Sequence, residues 1–226
     1  MITLVTGGSG SGKSEYGEAL VVSFNRPLNY YVATMEVLGK ESMEKVKRHR
    51  EQRKGKGFIT LECKRNLGIL TLDDAGQGNV CSDSQIYGLQ SDAVSPSGLA
   101  FRGSSDSKAG KAVLLECISN LAANEMFSGE SWKSCGGLEA LASRIVRDIA
   151  SLSSQAEDMV IVTNEVGSGG GVYETETMEY IRLMGLINQQ LADMADRVVE
   201  VVYGIPVVWN APDGSGTACL KGAEEL

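Results

Sequence analysis

Gly7-Gly8-Ser9-Gly10-Ser11-Gly12-Lys13-Ser14 is the stretch that decides the fold. It fits G-x-x-x-x-G-K-[ST], follows the apolar run Ile2–Thr6, and precedes a segment with the makings of a helix from about Lys13. Glycines at this spacing let consecutive backbone N–H groups turn inward as a nest for phosphate oxygens, and the helix start adds its positive dipole. Lys13 would reach the terminal phosphates and Ser14 would offer its hydroxyl to Mg2+. A dinucleotide fingerprint is excluded, because no G-x-G-x-x-G frame survives Lys13.

Outward from this loop, five more β-branched or apolar runs read as strands: Asn29–Ala33, Phe58–Glu62, Ala112–Glu116, Met159–Thr163 and Val198–Tyr203. Helical periods lie between them. Leu138, Leu141, Ile145, Ile149 and Leu152 form one stripe, and Ile181, Met184, Ile187, Leu191 and Met194 another. Strands alternating with helices predict an α/β fold of the P-loop NTPase class, a mostly parallel sheet with helices on both faces. The 226 residues are expected to form one nucleotide-binding domain. Residues Asp73–Gly110 hold six Gly, eight Ser and five Asp and read as an insertion, and the tail 210–226 as frayed.

Composition removes several classes. With 42% hydrophobic residues the chain is not disordered, and no run approaches the length of a membrane span. The start of the chain has no basic region of a signal peptide. A net charge of −8 argues against nucleic-acid binding. The five cysteines have no metal or CxxC spacing and read as reduced thiols of a cytoplasmic protein.

Three further features bear on chemistry. Val113-Leu114-Leu115-Glu116 is an apolar strand ending in a carboxylate, either a second metal contact or a solvated or helix-capping group. Lys45–Lys56 carries seven Lys and Arg against Glu51, a local charge of +6 that leaves −14 on the remainder; it suits a polyphosphate or forms a solvated helix face. Within it lies the chain's one histidine, His49. On a helix His49 shares a face with Lys45 and Arg53, whose charges disfavour an imidazolium and leave a ring able to act as nucleophile or base, unless it is merely a surface histidine. Finally, Thr163-Asn164-Glu165-Val166-Gly167 ends a buried strand, where Asn164 and Glu165 would orient a substrate hydroxyl or cap the next helix.

Together LVTGGSGSGKS (4–14), YVAT (31–34), KRHREQR (47–53), TLEC (60–63), VLLEC (113–117), VTNEVG (162–167) and INQQLADMADRVVEVVYGIPV (187–207) resemble the adenosylcobinamide kinase/adenosylcobinamide-phosphate guanylyltransferase family, in the family's order over residues 1–66 and 111–208. The resemblance implies a RecA-like P-loop fold, a homotrimer and two reactions. ATP or GTP would phosphorylate the hydroxyl of adenosylcobinamide's aminopropanol arm, and GMP would then pass from GTP to that phosphate by way of His49. It further implies that Gly7, Gly8, Ser9, Gly10, Ser11, Gly12, Lys13 and Ser14 hold phosphates. Ala33, Thr34, Met35, Arg50, Arg53, Glu62 and Glu116 would line the nucleotide site, with Ser14 and Glu116 on Mg2+. The competing expectations are a generic small-molecule P-loop kinase, with His49 a bystander, and a GTP-dependent regulatory module. The second of these would have been favoured by an NKxD-type guanine-reading motif, which the chain lacks.

Overall fold

Alternation along each strand sends neighbouring side chains to opposite sides of the sheet, so each strand feeds two cores. In the computed structural model, which describes residues 1–36, 39–72, 78–79, 86–87, 110–128, 131–134, 136–167, 170–171 and 173–210, the chain runs β1 (Ile2–Thr6), α1 (Lys13–Ser23), β2 (Leu28–Ala33), α2 (Gly39–Arg53), β3 (Phe58–Glu62) and a 3-10 turn at Leu67–Ile69. Short strands β4 (Thr71–Leu72), β5 (Gly78–Asn79) and β6 (Ile86–Tyr87) follow, then β7 (Lys111–Glu116), α3 (Ile118–Phe127), α4 (Ser131–Ser134) and α5 (Gly137–Ser153). The described chain closes with β8 (Asp158–Val162), α6 (Thr175–Met194), β9 (Arg197–Val202) and β10 (Ile205–Asn210).

Eight strands form one sheet in the order β10-β9-β1-β8-β7-β2-β3-β6. The six from β9 to β3 are parallel, and β10 and β6 add antiparallel edges. Strands β4 and β5 make a separate antiparallel pair. On one side Leu4, Tyr30, Val32, Val113, Leu115 and Ile161 pack with buried residues of α3, α5 and α6. On the other, Val5, Tyr31, Leu114, Val160, Val162 and Val201 meet Val21 of α1 in a smaller cluster. Gly17 lets α1 lie close to the sheet, since a Cβ there would sit 3.2 Å from both Leu114 Cδ1 and Val162 Cγ2. The α/β class expected from the sequence is therefore present, with the glycine-rich loop joining β1 to α1 and helices on both faces.

Several details differ from the sequence reading. The α5 stripe is buried as expected, but on α6 the buried line runs Leu183, Met184, Ile187 and Leu191, while Ile181 and Met194 are only half-buried. Leu183 and Met184 are adjacent, and the helix turns just far enough to bury both. Strand β10 is not among the expected strands. It occupies the sheet edge, where Pro206 lacks only an N–H that an edge can spare, and Asn210, expected in the frayed tail, belongs to it. The rest of that tail lies outside the described residues, as does the insertion apart from residues 78–79, 86–87 and 110.

Candidate active site

The parallel strands all deliver their carboxyl ends to one edge of the sheet, where ligands of open α/β folds bind. Gly7–Ser14 lies there, directly after β1. Two of its glycines are demanded by a neighbouring hairpin. Gly7 has φ +143°, and a Cβ on it would meet the Val201 carbonyl oxygen at 2.5 Å; on Gly12, φ +97°, a Cβ would lie 3.3 Å from Gly204 Cα. By contrast a Cβ on Gly8 or Gly10 would meet nothing within 4 Å, which leaves that flank of the loop open to a ligand. Lys13 opens α1, is only 7% exposed, and donates from Nζ to Gly8 O at 2.6 Å. Burial holds its ammonium below the ordinary lysine range, with Cys117 and Glu116 pulling the other way. A cation in this position favours an anion that can replace the lost water.

Ser14 donates its hydroxyl to Glu116 Oε1, and Tyr31 donates to Glu116 Oε2 at 3.1 Å. Glu116 ends β7 and the helix behind it is capped at Cys117, so the carboxylate is neither a free surface group nor a cap. The Ser14–Glu116 pair is a cluster of hard oxygen donors of the kind Mg2+ accepts. No group of three His, Cys, Asp or Glu that could hold a metal by itself occurs among the described residues. Burial, reinforced by Glu116, raises the Tyr31 phenol well above its ordinary value, so it stays a donor at neutral pH.

Tyr31 also carries the link to the basic helix. The Arg53 guanidinium lies 3.6 Å above the centre of its ring. Arg53 is 8% exposed, and its Nε and Nη1 are buried with no hydrogen-bond partner among the described residues. Three residues on, Lys56 Nζ pairs with Glu18 of α1 at 2.6 Å. The end of α2 is thus pinned to the phosphate-loop helix and to the Ser14–Glu116 pair. His49 stands one helical turn before Arg53, half-buried, with Nδ1 shut away from solvent and unpartnered among the described residues. No described contact joins His49 to the loop itself. Arg50 Nη2 pairs with Glu62 Oε1 at 2.6 Å, bringing two expected site residues together.

The remaining expected residues divide. Thr34 is fully buried, and its hydroxyl exchanges hydrogen bonds with Cys117 N and Cys117 O at 2.8 Å each, so it fixes the β2 and β7 ends to one another. Ala33 and Met35 flank it half-buried. Asn164 Nδ2 donates to Ser119 Oγ at 2.6 Å. The next helix, α6, begins eleven residues later behind Glu174, so the capping alternative for Asn164 and Glu165 falls away. Glu165 is exposed, and its N–H points to Gly7 O at 3.5 Å. Beside Asn164, burial pushes the Cys117 thiol up, and Tyr180, which donates to Ser119 O, is pushed up to about 12 by burial.

Sequence reasoning missed Tyr31, Glu18 and Ser119 as parts of this edge, and had Lys56 only as the last charge of the basic run. A signal existed for Tyr31: a buried tyrosine needs a partner for its hydroxyl, and alternation puts it opposite Tyr30 in the strand, on the α1 side.

The chain was compared with known proteins. A family model described as cobinamide kinase / cobinamide phosphate guanyltransferase (CobU) matches residues 3–82 and 96–209. The bifunctional adenosylcobalamin biosynthesis protein CobU of Salmonella typhimurium (strain LT2) is 31% identical over 214 residues, covering 92% of this chain and 98% of that protein. Its namesake from Escherichia coli (strain K12) is 30% identical with the same coverage. Among solved structures, the flagellar accessory protein FlaH from Methanocaldococcus jannaschii matches 96% of this chain and 80% of its own with a TM-score of 0.41 at 11% identity. A KaiC-like protein from Pyrococcus horikoshii OT3 matches 88% and 71% with a TM-score of 0.39 at 11% identity. Those two likenesses are too distant to add to the architecture seen directly. The family match rests on sequence along nearly the whole chain, and by it this protein is an enzyme of the cobinamide kinase / cobinamide phosphate guanyltransferase family.

Proposed function

We propose that the carboxyl edge of the sheet performs both reactions of that family on one nucleotide-binding site, with His49 as the nucleophile of the second. In the first, the hydroxyl oxygen of adenosylcobinamide attacks the γ-phosphorus of ATP or GTP. The O–P bond to the nucleoside diphosphate breaks and the hydroxyl proton leaves to solvent. In the second, His49 attacks the α-phosphorus of GTP and pyrophosphate departs. A phosphate oxygen of the phosphorylated corrinoid then displaces the imidazole, giving adenosylcobinamide-GDP and free His49. Because Nδ1 is buried, the attacking nitrogen is Nε2.

Each residue has a defined task. Gly7–Ser14 holds the triphosphate through backbone N–H groups, and Lys13 gives up its bond to Gly8 O for phosphate oxygens. Ser14 and Glu116 would hold Mg2+, which when bound neutralises charge on the phosphates. Arg53, whose Nε and Nη1 have no partner among the described residues, and Arg50 supply positive charge near His49. Asn164 and Glu165 orient the substrate hydroxyl, and Ala33, Thr34, Met35 and Glu62 shape the wall. The corrin cobalt is cargo, since only phosphate and P–N bonds change. The reading extends to a single domain, as the chain length suggests, to a cytoplasmic location, as the unpaired cysteine spacing suggests, and to a homotrimer, as the family resemblance implies. No helix among the described residues is long and apolar enough to cross a membrane.

The observation that carries this reading is the chain Ser14–Glu116–Tyr31–Arg53, which ties the phosphate loop to the helix bearing His49. A paired assay tests it. With adenosylcobinamide, ATP and GTP, His49→Asn should keep phosphorylation and lose guanylyl transfer, whereas Lys13→Ala should lose both. Loss of both activities in a folded His49→Asn protein, or retention of guanylyl transfer, would contradict it.

A further inference from the structure

Asn164, just past β8, is held on every side. Thr163 N–H donates to Val5 O at 2.9 Å and Glu165 N–H points to Gly7 O at 3.5 Å, which brackets Asn164 against the start of the phosphate loop. Its main-chain carbonyl accepts from Asn188 Nδ2 of α6 at 3.3 Å, and Asn188 Oδ1 accepts the buried Thr163 hydroxyl at 2.6 Å. Its side-chain Nδ2 donates to Ser119 Oγ of α3 at 2.6 Å, with Cys117 Sγ 4.0 Å from the same nitrogen. Ser119 is held in turn by Tyr180, whose hydroxyl donates to Ser119 O at 3.0 Å.

The side-chain oxygen is what these bonds leave over. Asn164 is only half-buried, and its Oδ1 has no partner among the described residues. An amide free to rotate would present either end to a ligand, a donor or an acceptor. Ser119 Oγ lies 3.1 Å from Cys117 Sγ. When that contact takes the hydroxyl proton, Ser119 Oγ has only lone pairs for the amide, so the nitrogen stays on Ser119 and the oxygen is left for a ligand. The amide also stands where such a ligand would meet the triphosphate. Glu116 of β7 lies opposite Val162 of β8, two residues before Asn164, and accepts the Ser14 hydroxyl.

We propose that Ser119 is a positioning residue for the phosphorylation step alone: by holding Asn164 Nδ2 it presents Asn164 Oδ1 as a neutral acceptor for the substrate alcohol. The proposal rests on the reading of Asn164 as a group that orients the substrate hydroxyl. With its O–H directed to Oδ1, the alcohol turns an oxygen lone pair to the γ-phosphorus. The new O–P bond forms as the bond to the nucleoside diphosphate breaks, and the proton then leaves to solvent; the amide does not take it. A neutral acceptor suits this place, because a carboxylate would repel the phosphates. In guanylyl transfer the attacking group is a phosphate oxygen without that hydrogen, so Oδ1 has nothing to hold. Ser119 thus serves one reaction and His49 the other.

The test separates the two steps in the full chain. Ser119→Ala, its folding checked by thermal unfolding, is assayed for phosphorylation of adenosylcobinamide with ATP. It is assayed separately for GMP transfer from GTP to supplied adenosylcobinamide phosphate. Phosphorylation kcat should fall about tenfold or more with KM for ATP unchanged, while GMP transfer keeps the wild-type rate. Ser119→Thr, which retains the hydroxyl, should retain phosphorylation. Asn164→Leu should lose phosphorylation at least as far, and adding Ser119→Ala to it should cost nothing more, since Ser119 acts through that amide. Unchanged phosphorylation in Ser119→Ala overturns the proposal. So does an equal loss of GMP transfer, which would give Ser119 a merely structural part, and so do independent losses that multiply in the double variant. If Asn164→Leu phosphorylates as the wild type does, the reading of Asn164 itself fails and this proposal with it.

Discussion

Tyr31→Phe removes a single oxygen and leaves Glu116 Oε2 without the phenol that now donates to it, while the ring stays beneath Arg53. An acceptor stripped of its donor in a half-buried place costs about 1 to 2 kcal/mol. Urea unfolding should show that loss, together with weaker Mg2+-dependent nucleotide binding; no change in either would mean that the phenol does not position Glu116. Lys13 gives a prediction in pH. Its ammonium is held below the ordinary value near 10.5 in the free protein. Between that depressed value and 10.5 the unfolded chain binds more protons than the folded one, so this group's contribution to stability rises with pH. Triphosphate affinity runs the opposite way, because only the charged form pairs with phosphate. Calorimetry at rising pH should show affinity falling before the ordinary lysine range is reached, and Lys13→Arg should abolish the fall. Affinity constant up to that range would contradict it.

At the scale of elements, the β9–β10 hairpin and the phosphate loop are fitted to one another. Gly7→Ala forces a Cβ within 2.5 Å of the Val201 carbonyl at a φ that alanine resists, and should cost about 2 kcal/mol or more. Gly8→Ala meets nothing within 4 Å and should change stability by less than about 0.5 kcal/mol. Equal thermal midpoints for the two variants would show that the hairpin does not press on the loop. The same contrast explains what could be read in advance. The parallel strands declare themselves as short β-branched runs, and the loop declares itself through Gly12-Lys13-Ser14. The hairpin was hidden, because Tyr203-Gly204-Ile205-Pro206 mixes an exposed ring, a glycine and an edge proline, and its contacts to Ser11 and Gly12 are made some 190 residues apart in the chain. Helix α2 was readable only as a charged run, since ion pairs and a ring contact seat its end, not an apolar stripe. Tyr31 looked like strand core because its partners, Glu116 and Arg53, come from two other elements.

On the scale of the molecule, the larger core lies on the side of α3, α5 and α6, and the nucleotide machinery sits on the thinner side with α1 and the end of α2. Deleting the fully buried Leu115 to alanine, on the thick side, should cost about 2 to 5 kcal/mol. Ligand then adds stability from the thin side: GTP at a hundred times its Kd should add about 2.7 kcal/mol to the wild type, and at the same concentration much less to Lys13→Ala. The central claim is that one P-loop site and His49 together move GMP through a covalent intermediate. Its most direct measurement is incubation of the whole protein with α-labelled GTP and Mg2+, without corrinoid, followed by acid or alkali treatment and peptide mapping. The account predicts label on the His49 peptide that survives alkali and is lost in acid, as a P–N bond would be, and no label on His49→Asn. Guanylyl transfer that proceeds in a wild type that never labels, or an acid-labile adduct formed equally by His49→Asn, would contradict it.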